Sequence, residues 1–408
     1  MKRNSAFILS VFIMLNGAAM TLSDAEIIKG LHYLDRQPVA VEVSDGRIVS
    51  VRRIETTERL PLIAPGLIDN QVNGFAGVSF GFGGGELECA GVLKATQALW
   101  AKGVTTFLPT LTTNSRESLR ENLAILAACK DDPALHGSIP GFHLEGPYIS
   151  PDDGYRGAHP RAHVRPPDWQ EFGELYKASA QGILTVTLAP EQPGAQEMIR
   201  KLTAMGIVVA LGHHNASKAE IDQAVLNGAK VATHLGNGCA NMINRHLNPL
   251  WPQLANDGLM ISLICDGFHL REEQIRVFYK VKGPERTILT SDVTHFAALP
   301  PGEYRTPEGE TIELTAEGML RYPAHNVLYG SASPLSVGIV HIMRVTCCTL
   351  GQAICMASSN PAALYRLTDR GAIEPGRRAD LILFTVGERE LIIEKTFVAG
   401  ELVHQAHP

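Results

Sequence analysis

Gly141-Phe-His-Leu-Glu-Gly-Pro-Tyr148 is an apolar run that ends on one carboxylate and is broken at once by Gly-Pro. Read as a buried parallel strand, it stands Glu145 at a C-terminal strand tip, where a side chain faces substrate rather than core. Two later runs end alike, Val208-Val-Ala-Leu-Gly-His213 and Lys230-Val-Ala-Thr-His234. A carboxylate and two histidines on neighbouring tips are one way to build a catalytic zinc site, three protein ligands with a fourth position open.

Outward from that stretch the chain alternates apolar runs with amphipathic ones such as 117–130, 195–205 and 218–227, the texture of β/α units around a parallel sheet. Eight runs qualify as strands: Leu62–Asp69, Gly103–Leu111, Ser138–Glu145, Leu184–Pro190, Ile207–His213, Val231–His234, Leu259–Asp266 and Thr287–Asp292. Eight is the number that closes a (β/α)8 TIM-like barrel, here expected over residues 63–365. Both ends of the chain instead show short alternating strands with hairpin signals, Asp45-Gly46 among them. Residues 21–62 and 366–408 are therefore expected to pair in one small β-sandwich domain, giving an α/β fold overall.

The 408 residues are 45% hydrophobic and 19% charged, enough to bury an enzyme-sized core and too apolar for disorder. With 36 basic against 42 acidic side chains and no basic cluster interleaved with aromatics, nothing points to nucleic acid. The seven cysteines lie scattered in apolar segments without a C-x-x-C pair and read as reduced core residues. Residues 1–20 run from Met1-Lys-Arg through the apolar 6–15 to Gly17-Ala-Ala19, the order of a secretory signal, or else of a start placed too early. The run is too short to span a membrane. A cytoplasmic protein is the expectation, with export the outcome if the signal is real.

Polar residues gather at the expected strand tips: Asp69, Gln71 and Asn73, then Glu145, His213, His234, Asp266, His269 and Asp292. One isolated Asp or Asn is usually a cap or turn residue, but so many tips on one barrel face point to a site. His214 competes with His213 as a ligand, because adjacent rings on a strand face opposite ways.

The stretches Pro65-Gly-Leu-Ile-Asp-Asn-Gln-Val-Asn-Gly74, His143-Leu-Glu-Gly-Pro147, Gly212-His-His-Asn-Ala216, Thr233-His-Leu-Gly-Asn237, Asp266-Gly-Phe-His269, Thr290-Ser-Asp292 and Gly371-Ala-Ile-Glu-Pro-Gly-Arg-Arg-Ala-Asp380 together resemble the amidohydrolase superfamily, in order and over nearly the whole chain. Where many members carry His-x-His, this chain has Gln71-Val-Asn73, the form that resembles a one-metal site. The resemblance implies Glu145, His213 and His234 as ligands of one divalent ion, zinc first and iron or cobalt next. It also implies Asp292 as general base and His159 of Gly157-Ala-His159 as oxyanion donor. Substrate contacts implied are Gln71, Asn73, Asn237, Arg245 and His269, and the assembly implied is a homodimer. The activity implied is hydrolysis of N-acetylglucosamine 6-phosphate to glucosamine 6-phosphate and acetate. The chain departs from the family around the phosphate, reading His234-Leu-Gly-Asn-Gly-Cys and Arg245-His-Leu-Asn-Pro249. The alternatives are an amidohydrolase acting on an unphosphorylated N-acetyl amino sugar or an N-acyl amino acid, and a barrel that only binds.

Overall fold

The structure, a computed structural model, describes residues 26–81, 87–306, 309–324 and 326–406. The expected signal or early start at 1–20 lies outside them. Eight strands form one parallel sheet: β1 (Leu67–Val72), β2 (Val104–Thr112), β3 (Phe142–Glu145), β4 (Ile183–Leu188), β5 (Val208–Leu211), β6 (Val231–Ala232), β7 (Met260–Ile264) and β8 (Thr287–Thr290). Helices return the chain between them: α1 (Cys89–Trp100), α2 (Arg116–Cys129), α3 (Trp169–Ala178), α4 (Ala195–Ala204), α5 (Lys218–Leu226), α6 (Leu250–Ala255) and α7 (Glu272–Lys282), with α8 (Leu335–Val345) after β8.

The strands are buried nearly end to end, every residue of β1, β2, β3 and β8 included, as expected for strands covered on both faces. Three of the helices start where the sequence supplies an acceptor: Ser115 caps α2 and Asp168 caps α3, and Ser217 with Glu220 forms a capping box on α5. The barrel closes between its first and last strands. Asn73 N–H donates to Val293 O at 2.8 Å and Asp292 N–H to Gln71 O at 3.1 Å, so the residues just past β1 and β8 are stitched side by side.

The boundary at the first strand differs from expectation. Leu62–Pro65 is not part of the barrel; it pairs with Glu26–His32 and Leu381–Val386 in a seven-stranded sheet built from both chain ends. Gly66 separates the two, and Leu67 begins the barrel. In that sheet Asp45 and Gly46, both with positive φ (51° and 73°), form the tight turn between Pro38–Ser44 and Arg47–Arg53.

Two further findings had no sequence signal. Cys89 and Cys129, expected to be reduced, form a disulfide that ties the start of α1 to the end of α2, with a Cα–Cα distance of 5.3 Å. Their helices pack together, which brings cysteines 40 residues apart into bonding range. Cys239, Cys265, Cys347, Cys348 and Cys355 are free. Between β8 and α8 the chain also builds a small four-stranded antiparallel sheet, Gly302–Arg305, Thr311–Leu314, Leu320–Tyr322 and Val327–Leu328. It has its own apolar cluster of Phe296, Ile312, Leu314, Leu320 and Tyr329, apart from the main core.

Candidate active site

The sheet brings the expected tip residues into one cavity of about 550 Å³ at the C-terminal end of the barrel. Glu145 is the last residue of β3; His213, His234 and Asp292 each stand two residues past the end of β5, β6 and β8. All three of these later residues have positive φ (52°, 30° and 52°), a conformation that non-glycine side chains rarely adopt. The same backbone turn ends each strand and swings its side chain across the barrel mouth, which is why these strands stop earlier than the apolar pattern implies.

Glu145 Oε1 lies 2.9 Å from His234 Nε2 and 3.5 Å from His213 Nε2, and the two ring nitrogens are 3.1 Å apart. Their ligand atoms fall within 4.8 Å of one another, and all three residues are buried. Two imidazole nitrogens and one carboxylate oxygen converging without an intervening side chain are a donor set suited to a divalent ion, so the residues present fit the metal that the sequence implies. His213 is oriented for that role, because its Nδ1–H donates to Tyr155 O at 3.0 Å and leaves Nε2 with its lone pair. Gly157 (φ +60°) and Gly238 (φ +59°) press on this ring from two sides: an added Cβ would lie 3.0 Å from His213 Cε1 or 2.7 Å from its Nδ1. His214 is turned away. It is buried, its Nδ1 accepts from Ala216 N–H at 3.3 Å, and burial pushes its pKa down to about 4.

Burial alone would raise the Glu145 pKa, but the imidazoles of His213 and His234 facing it hold it well below the usual carboxylate range. Burial would lower His234, yet its bond to Glu145 and that charge raise it. Asp292 moves the other way, raised by burial first and then by the charge of Glu145. Two carboxylates in one cavity are thus driven apart in acidity. The Asp292 carboxylate is held by the barrel seam: its Oδ1 accepts from Gln71 Nε2 at 2.9 Å and Asn73 Nδ2 at 2.7 Å. Asp69, pushed up to about 7 by burial, accepts from Ser291 N–H at 3.2 Å and anchors the residue before Asp292.

His159 is buried beside the cluster, its ring 4.3 Å from that of His213 and its Nδ1 2.8 Å from Thr113 Oγ1. Burial, aided by His213, pushes its pKa down to about 3, so it is a neutral ring. Asn237 and His269 line the cavity wall. His269 Nδ1 meets Asp266 Oδ2 at 2.7 Å; burial lowers its pKa but the carboxylate more than restores it. Arg245 does not line the cavity; it lies on an exposed segment around residues 241–247. Sequence reasoning missed Thr113 and the Tyr155 carbonyl, which hold His159 and His213, and the cavity-wall residues Asn241, Gln274, Met319, Arg321 and Tyr322, the last two on the small sheet. None carries a motif that would have flagged it.

A (β/α)8 barrel with this cluster at its strand tips is the architecture of metal-dependent hydrolases. The amidohydrolase family model matches residues 62–403, and the chain belongs to the amidohydrolase family. Among curated relatives, N-acetylglucosamine-6-phosphate deacetylase of Bos taurus is 35% identical over 356 residues, 84% of each chain. N-acetylgalactosamine-6-phosphate deacetylase of Shewanella sp. is 30% identical over 377 residues, 90% of this chain and 92% of the relative. The solved structure of a mutant N-acetyl-D-glucosamine-6-phosphate deacetylase from Mycobacterium smegmatis, in complex with N-acetyl-D-glucosamine-6-phosphate, superposes with a TM-score of 0.80 at 25% identity, covering 93% of this chain and 100% of that one.

Proposed function

We propose that the protein is a metal-dependent deacetylase that hydrolyses N-acetylglucosamine 6-phosphate to glucosamine 6-phosphate and acetate. The observation that carries the reading is the convergence of Glu145, His213 and His234 beside Asp292, in a chain whose relatives bear that activity in their names. The three residues hold one divalent ion, zinc by preference, although iron(II) and cobalt(II) suit the same donors. Bound there, the ion supplies Lewis-acid activation of a water molecule and of the acetyl carbonyl.

Asp292 accepts the water's proton as the new C–O bond forms and delivers it to the amine as the C–N bond breaks. Its raised pKa suits a carboxylate that must carry a proton for part of the cycle. Gln71 and Asn73 keep its Oδ1 engaged, which aims the other oxygen at the reacting centre. The reading gives Thr113 Oγ1, 2.8 Å from Nδ1 of His159, the donor's part in that bond, which puts the ring proton on Nε2 to donate to the developing oxyanion. Asn237 and His269 contact the sugar and its phosphate. Arg245, exposed in one chain, reaches a phosphate across the interface of a homodimer.

The test is acetate release from N-acetylglucosamine 6-phosphate, N-acetylgalactosamine 6-phosphate and plain N-acetylglucosamine by protein supplied with zinc. Absence of acetate from all three refutes the reading; preference for the plain sugar replaces the substrate. A sugar phosphate substrate goes with a cytoplasmic location, whereas the Cys89–Cys129 bond favours an oxidising compartment. Thiol trapping of the protein in cell fractions separates the two. Among the described residues no helix is long and apolar enough to cross a membrane.

A further inference from the structure

The carbonyl that orients His213 and the ring assigned to the oxyanion lie on one segment, 151–160, which follows β3 and contains no helix or strand. Tyr155 O takes the His213 Nδ1–H at 3.0 Å, and the ring of His159 stands 4.3 Å from the same imidazole. Gly157 presses on that imidazole from between them. Gly154 lies so close to the neighbouring loop that an added Cβ would fall 2.8 Å from Ala240 Cβ. A loop with two glycines at positive φ (88° and 60°) has little stiffness of its own, so another group must fix both contacts.

Arg156, between the two, ties the loop to itself. Its Nη1 donates to His159 O and its Nη2 to Asp153 Oδ1 at 2.8 Å. The backbone adds Arg156 N–H to Asp152 O at 3.0 Å and His159 N–H to Arg156 O at 3.3 Å. The Arg156 side chain is 19% exposed and that of Asp153 75%, so the carboxylate arm is a surface pair of small worth and the carbonyl arm carries the hold. A planar fork serves both acceptors at once, which the single ammonium of a lysine does less well. Gly154, Gly157, Ala158 and His159 line the cavity and Arg156 does not, so any effect it has on turnover passes through the residues it holds.

We propose that Arg156 is a positioning residue for the reaction, its guanidinium clamping segment 153–159 so that Tyr155 O stays on His213 Nδ1 and His159 stays against Thr113. The inference rests on the deacetylase reading above and adds to it a residue outside the cavity. The experiment measures zinc Kd by competition with a chromophoric chelator, and kcat and KM for acetate release from N-acetylglucosamine 6-phosphate at saturating zinc. The proteins are wild type, Arg156→Ala, Arg156→Lys, Arg156→Gln and Asp153→Asn, each checked for folding by circular dichroism.

Loss of the group behind a metal-binding histidine weakens metal affinity or activity about 10–100-fold, so Arg156→Ala is expected to bind zinc about tenfold more weakly and to lose about tenfold or more in kcat, with KM within about twofold of wild type. Arg156→Lys recovers part of both losses, and Asp153→Asn stays near wild type. A folded Arg156→Ala with wild-type zinc Kd and kcat overturns the proposal, even if it melts at a lower temperature. A rise in KM alone overturns it too, because Arg156 would then act on substrate. Where Arg156→Ala does not fold, Arg156→Gln takes its place, and wild-type zinc Kd and kcat in that variant overturn the proposal in the same way. All of these leave the deacetylase reading standing as long as the wild type releases acetate; a wild type that binds no zinc and releases none overturns both.

Discussion

The floor and the wall of one cavity are built by opposite means. On the floor, Glu145, His213, His234 and Asp292 are buried, bonded to one another or to the barrel seam, and three of them sit in a strained backbone conformation. Strain of about 1–3 kcal/mol at each such residue persists only where the surroundings over-determine it, and eight paired strands do. On the wall, the small sheet has strands of two to four residues and its own minor core, and Arg321 is held by one weak ion pair. The floor is therefore built where deformation is difficult, and part of the wall on an insertion with a small core of its own.

If that division is real, floor variants should fail on every N-acetyl substrate alike. The largest effect is expected from His234→Ala, which removes a ligand and leaves Glu145 and His213 to share the ion. Bound metal by elemental analysis and acetate release should both fall to background, and a variant that kept its metal would move the site elsewhere. Asp292→Asn comes next. It should retain metal and lose about 10²–10⁴-fold in kcat, the usual contribution of a positioned base. Normal turnover in that variant would remove Asp292 from the mechanism.

Smaller effects should appear in stability alone. Cys89→Ser releases α1 from α2, neither of which lines the cavity, and is expected to cost about 2–4 kcal/mol of unfolding free energy under oxidising conditions, with kcat unchanged. Equal denaturation midpoints for variant and wild type would show that the bond is not formed in solution.

Glu191 sharpens the comparison from the protein side. It lies three residues past β4, its Oε1 accepts from Asn215 N–H at 2.8 Å, and its buried Oε2 has no partner. Burial, with added repulsion from Glu220 and Asp152, pushes its pKa up to about 7. The folded state thus binds this proton more tightly than the unfolded chain does. Its stabilisation is full below the unfolded carboxylate value and is lost as pH rises through about 7. Glu191→Gln, neutral throughout, should match wild type near pH 5 and exceed it by about 1–3 kcal/mol near pH 8, read from thermal melts. No difference between the two pH values would mean that Glu191 is solvated.

The residues that proved legible were those governed by local pattern. Eight apolar runs, six of them ending on polar residues, announced a barrel and its working face, and the amphipathic stretches 117–130, 195–205 and 218–227 became α2, α4 and α5 to within a residue or two. The first strand was misplaced because the apolar run Leu62–Ile68 passes from one strand into the other; only the partners on either side of Gly66 tell them apart. The disulfide was misread because C-x-x-C spacing is a local signal, whereas Cys89 and Cys129 meet through the packing of two helices. The small sheet left no trace because strands of two to four residues are too short to show a period.

What the sequence determined by itself was the alternation of strand and helix, the polar side chain at most strand ends, and so the donor types available to a metal and a base. Those depend on nearest neighbours along the chain. Which nitrogen of His213 faces Glu145, how Gln71 and Asn73 grip Asp292, and where Arg321 stands over the cavity were decided only by the closed barrel and its insertion, because each joins residues brought together from distant parts of the chain.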